Sequence, residues 1–119
     1  MEKRIMSGQT FNELTRDITK YSAQLTKEQP DVMGAFHKLS QSATKDGALD
    51  KKTKELISLA IGIAVRCDGC IGFHVKTLIK LGAAKEEINE VCSMSVYMGG
   101  GPSLMYAAEA LKAYDEFTQ

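Results

Sequence analysis

Nearly every long segment of this chain spaces its apolar residues with a helical period, and no run alternates cleanly enough to make a strand. Phe11, Leu14, Ile18, Tyr21 and Leu25 recur at intervals of three and four, a narrow apolar stripe on a first helix. Pro30-Asp31 opens a second, carried by Met33, Phe36 and Leu39 and ending near Asp46-Gly47. Asp50 is placed to cap a third, in which Leu56 to Val65 is almost wholly apolar. A helix apolar on nearly all sides is expected to be buried on nearly all sides, at the centre of the domain or in a subunit contact. A fourth helix starts around Cys67 and ends at Leu81-Gly82. Lys85-Glu86-Glu87 begins a fifth, with acidic residues in its first turn, running through Ile88, Val91 and Cys92 toward Met98. Gly99-Gly100-Gly101 breaks it, and Pro102 at a first helical position starts a sixth with Leu104, Ala108 and Leu111. The expectation is an all-α, single-domain bundle of about six helices spanning residues 1–119.

A length of 119 residues holds one real core and not two. Fifteen basic against fifteen acidic side chains leave no formal net charge, which excludes the basic footprint of a nucleic-acid binder. The longest uncharged stretch, Val91 to Ala108, is interrupted by Gly99-Gly100-Gly101-Pro102, so it reads as two helix pieces and a turn, not a membrane span. Met1 to Gly8 lacks the apolar core of an export signal. Three cysteines in such a chain point to a reducing, cytoplasmic setting. There, a close cysteine pair is more often catalytic or metal-binding than a structural staple.

That pair is Cys67-Asp68-Gly69-Cys70, with His74 one helical turn later. At about 100° per residue, Cys67, Cys70, His74, Leu78 and Leu81 share an arc of roughly 80° on the fourth helix. Two thiols and an imidazole at this spacing can close a disulfide and move a proton. Unpaired N–H groups at the helix start favour a thiolate and a lowered thiol pKa. Two rival readings stand beside the redox one. Cys67, Cys70, His74 and perhaps Cys92 could bind zinc, although the usual second pair of ligands is missing, so no metal is assigned. Alternatively, the three residues are ordinary core. Glu55, on the side of the third helix shared by Ser58, Leu59 and Gly62, lies opposite His74 only if the chain reverses near residues 64–65; otherwise it is a first-turn glutamate facing solvent or Lys51. Cys92 beside Ile88, Val91 and Ser95 reads as a structural thiol, His37 as a surface histidine, and the glycine run as an interhelical turn without the Lys-Ser/Thr of a phosphate loop.

Glu55, eleven residues, then Cys67-x-x-Cys70-x-x-x-His74 resembles the signature of the AhpD-like alkylhydroperoxidases in the carboxymuconolactone decarboxylase family. Gly99 to Leu111 resembles that family's C-terminal segment. The resemblance implies an all-helical subunit assembled as a homotrimer or homohexamer. It implies Cys70 as the cysteine attacked by peroxide and converted to sulfenic acid, Cys67 as the resolving cysteine, and His74 with Glu55 as the proton relay. It implies a hydroperoxide or disulfide substrate, with electrons from a dithiol such as lipoamide or a thioredoxin-like donor, sometimes through a peroxiredoxin. No cofactor is implied. The best-known members carry a histidine between the cysteines where this chain has Gly69.

Three functions follow as expectations. The leading one is a thiol-dependent antioxidant oxidoreductase cycling Cys67 and Cys70. The second is a lyase acting on a small lactone, as in the family's decarboxylases, which lack the cysteine pair. The third is a non-enzymatic module, zinc-stabilised or redox-sensing.

Overall fold

The computed structural model describes residues 8–119; residues 1–7, most of the segment read for export character, lie outside the described residues. Six helices and no strand occur among the described residues: α1 (Phe11–Glu28), α2 (Pro30–Thr44), α3 (Lys51–Ala64), α4 (Asp68–Lys80), α5 (Lys85–Gly99) and α6 (Gly101–Phe117). The starts follow local chemistry. Thr10 caps α1 in a capping box, its Oγ1 accepting from Glu13 N at 3.1 Å while its own N–H donates to Glu13 Oε1 at 2.9 Å. Asp50 accepts the Thr53 N–H at 2.8 Å and caps α3, as expected. Gly82, at φ +80°, closes α4 in the left-handed region that glycine adopts without a Cβ penalty. None of the helices is long and apolar enough to cross a membrane.

The core lies between α3, α4, α5 and α6. Leu59, Ile63, Ile71, Val75, Leu78 and Ile88 are fully buried there, and α6 contributes the small residues Ala107, Ala110 and Ala113, which let the helices close in. Helix α1 joins at its first turn: Phe11 is fully buried and meets Phe117 edge-on, with centroids 6.4 Å apart. The Glu116 carboxylate accepts the otherwise orphaned N–H groups of Phe11 and Asn12 at 2.9 and 2.8 Å, so the last helix caps the first.

Burial departs from the sequence pattern in two places. Beyond its first turns, the α1 stripe is uncovered at Ile18, Tyr21 and Leu25, as are Val32, Phe36 and Leu39 on α2. The α1–α2 hairpin therefore stands partly off the core. On α3, the expected all-round burial fails within the single chain: Ile57, Ile61 and Val65 are exposed, Ile61 by 57%. Helices α4, α5 and α6 pack against α3, and α2 touches it more lightly, which leaves Ile57, Ile61 and Val65 uncovered among the described residues.

Candidate functional site

The reversal from α3 into α4 builds the site. Val65 caps α3, and Arg66 takes φ +60°. Arg66 N–H then donates to Ile63 O at 3.1 Å and Cys67 N–H to Gly62 O at 3.0 Å, the paired bonds of a Schellman motif. The same Cys67 is the N-cap of α4, its Sγ accepting the Cys70 N–H at 3.2 Å. Cys67 is thus fixed from both sides, and Cys70 sits in the first turn behind it. Both are half-buried free thiols. Gly62 backs Cys70 from α3: a Cβ at position 62 would lie 3.2 Å from the Cys70 Cβ.

Because the reversal is this tight, Glu55 and His74 meet directly. Glu55 Oε2 lies 2.7 Å from His74 Nδ1, with the glutamate buried and the imidazole side chain 32% exposed. The solvent or Lys51 alternative for Glu55 does not occur. A carboxylate only accepts, so Nδ1 is the donor in this pair, and in the neutral tautomer that matches it Nε2 keeps a lone pair. His74 makes no direct hydrogen bond to either sulfur among the described residues; its place relative to Cys70 is that of a neighbour one turn on.

Thiol electrostatics differ from the sequence expectation. The helix start was expected to lower the thiol pKa, yet burial first, and the adjacent Cys67 sulfur second, push the Cys70 thiol up to about 11. Desolvation outweighs the lowering influence of the backbone N–H at this helix start. Cys92 lies elsewhere, on α5 against α6, with its Sγ 3.8 Å from Ala107 O; burial raises its thiol to about 11 as well. Cys67, Cys70, His74 and Cys92 do not gather into a group of three or more that could hold a metal ion, among the described residues. His37 lies exposed on α2. The glycine run is a turn, with Gly100 at φ +71°.

Two further features had no signal in the sequence. Arg66 occupies a left-handed position that glycine usually marks. Asp68 and Glu109, distant in the chain, each bury a carboxylate oxygen without a hydrogen-bond partner.

Comparison with known proteins gives one family and several relatives. Residues 30–113 match the carboxymuconolactone decarboxylase family. A carboxymuconolactone decarboxylase family protein from Legionella pneumophila, solved in its apo form, is 60% identical, with 92% of this chain and 97% of that chain covered and a TM-score of 0.90. A family member from Thermotoga maritima, for which involvement in an antioxidative response has been suggested, is 31% identical over 72% of this chain and 89% of that one, with a TM-score of 0.68. The alkyl hydroperoxide reductase AhpD of Coxiella burnetii is 40% identical over 52 residues, 44% of this chain and 29% of the relative.

Proposed function

The chain belongs to the carboxymuconolactone decarboxylase family, and from that premise we propose that it is an AhpD-like thiol oxidoreductase, cycling Cys67 and Cys70 between dithiol and disulfide. The observation that carries the reading is the pairing of Glu55 with His74 at 2.7 Å, one turn from a half-buried free dithiol. A thiol held near pKa 11 is thiolate in only about one molecule in ten thousand at neutral pH. A base must therefore take the proton as sulfur attacks, and Nε2 of a Glu55-oriented His74 is free to do so.

The reaction balances without a cofactor. Cys70 sulfur attacks the distal oxygen of a hydroperoxide; an S–O bond forms, the O–O bond breaks, and the thiol proton passes through His74 to the leaving alkoxide, releasing an alcohol. Cys67 then attacks the Cys70 sulfenic acid, expelling water and closing the disulfide. A dithiol donor such as lipoamide or a thioredoxin-like protein, directly or through a peroxiredoxin, reduces it by exchange and leaves as its own disulfide. The free thiols fit a reducing, cytoplasmic setting, and the open apolar face of α3 supports a homotrimer or homohexamer. A lactone lyase reading is not favoured, since it gives the cysteine pair no task.

Thiol titration before and after one equivalent of an organic hydroperoxide tests the proposal. Two thiols should disappear and return with dithiol. Cys67→Ser should trap sulfenic acid on Cys70, and Cys70→Ser should form none. Full thiol retention after peroxide, or sulfenic acid forming in Cys70→Ser alone, overturns the assignment.

A further inference from the structure

A polar hollow of about 240 Å³ opens along the seam between α1 and α4, lined by Asn12, Thr15, Arg16, Thr19 and Lys76. The four α1 residues stand at i, i+3, i+4 and i+7, so one face of that helix meets Lys76 of α4 across the hollow. Thr15 is buried, its hydroxyl donating to Phe11 O at 2.8 Å. The other donors are unspent: among the described residues, the side chains of Asn12, Arg16 and Thr19 make no hydrogen bond or ion pair. Lys76 is half-buried, and its ammonium sits 5.0 Å from the centroid of the Phe117 ring, which holds the group without neutralising it. Elsewhere on the surface lysines meet carboxylates: Lys52 reaches Glu87 at 3.0 Å, and Lys85 reaches Asp115 at 3.4 Å. No carboxylate lines this hollow among the described residues. Glu116 lines the adjoining one, which shares Asn12 and Lys76 and adds Lys80, but its two oxygens accept the N–H groups of Phe11 and Asn12. Two like charges gathered among free donors repel each other, and an anion seated between them removes that repulsion.

We propose that this hollow is a binding site for a compact dianion, a phosphoryl group or a dicarboxylate, with Arg16 and Lys76 as its two cationic arms. Arg16 supplies a planar fork of donors suited to two oxygens at once, and Lys76 a point charge on a flexible stem. The Thr19 hydroxyl and the Asn12 amide add neutral donors. Two cations match two negative charges, and the volume suits a small ion carrying a few carbon atoms, below the span of drug-sized ligands. A polyanion such as nucleic acid fits poorly, since the chain as a whole is charge-balanced and has no basic footprint beyond this seam. The site is independent of the thiol chemistry and does not rest on the oxidoreductase reading.

The test is titration of the full chain with inorganic phosphate, glycerol 3-phosphate and succinate at about pH 8, where each is chiefly dianionic. Backbone amide NMR reads the binding, each probe being set against sodium chloride at matched ionic strength. At least one dianion should move the amides of residues 12–19 and 76 along saturable curves that chloride does not reproduce. Saturation by the phosphoryl probes alone assigns a phosphoryl ligand, by succinate alone a dicarboxylate, and by all three a site that reads only the paired charge. Arg16→Gln and Lys76→Met should each weaken binding about tenfold or more. Lys76→Arg keeps the charge and should stay within about threefold. Lys38→Gln, which removes an equal charge from an exposed position on α2, should leave binding unchanged. No saturation beyond chloride, unchanged affinity in both Arg16→Gln and Lys76→Met, or equal weakening by Lys38→Gln overturns the site. The readout needs no peroxide turnover, so failure of the anion site and failure of the peroxidase are scored separately.

Discussion

Ile18 fills the space beside Gly69: its Cδ1 stands 2.8 Å from where a Cβ at that position would lie. The position between the cysteines at which the resemblance leads one to expect a histidine is here a glycine, closed over by an apolar side chain of α1. One turn on, Gly72 faces the same helix, where a Cβ would meet Phe11 Cδ1 and Thr15 Cγ2, each at 3.0 Å. The two glycines together let α1 lie close on α4.

Their substitutions should differ. Ile18 is partly exposed and yields at the tip of a flexible side chain, so Gly69→Ala should stay within about 0.5 kcal/mol of wild type, the shift being offset by better helix propensity. Phe11 and Thr15 are buried and cannot move aside, so Gly72→Ala should cost about 1–3 kcal/mol. Urea unfolding of both variants measures this; equal losses would mean that α1 is loosely seated.

Glu55→Gln keeps an oxygen that accepts the Nδ1–H of His74 but removes the charge that favours an imidazolium. Peroxide consumption should fall about a hundredfold with little change in thermal midpoint. His74→Gln should cost a similar factor, and the double variant little more, because the two act as one unit. An active Glu55→Gln variant would show that the carboxylate only braces the helices.

What the sequence displays depends on how local each feature is. Asp50 and Gly82 mark helix ends through bonds to residues within a turn, and Pro30 through its fixed φ at a first helical position, so their effect is written beside them. The apolar faces of α1 and α3 were visible too, but a periodic pattern identifies a face without saying what covers it. Ile18 and Ile61 consequently proved open in the single chain. The Glu55–His74 contact hinged on a reversal whose marker is hidden, because Arg66 and not glycine takes the left-handed position. The Cys70 thiol shows the same division: the helix start is local and readable, whereas the burial that overrides it comes from other helices.

Alkaline pH should destabilise the protein through the half-buried Cys70 thiol and the buried Cys92 thiol. Cys70 and Cys92 hold their protons up to about pH 11 when folded, whereas an ordinary thiol ionises at 9.0. Between these values the unfolded chain binds fewer protons than the folded one, so stability falls as pH rises. Cys92→Ala removes one of the two contributions. Its loss of stability between pH 9 and 11 should be shallower than wild type by up to about 1.4 kcal/mol per pH unit, whatever the small cavity costs at neutral pH. Urea midpoints at pH 8.5, 9.5 and 10.5 measure the slopes, and identical slopes would mean that Cys92 is solvated.

Ile57, Ile61 and Val65 leave an apolar strip on α3 that continues onto α5 through Met94 and Met98, with Ala60, Ile61, Ala64 and Met98 lining one shallow groove. An apolar surface of this continuity is expensive to keep in water, and covering it with a second copy removes that cost. The proposed trimer or hexamer should therefore form through this face. Sedimentation should give the wild type a mass three or six times its 13.0 kDa subunit. Ile61→Asp would place a charge in the middle of the contact, where it would be desolvated without a partner, and should leave folded monomers. A monomeric wild type, or an Ile61→Asp variant that still assembles, would mean that this face is not the one that joins subunits.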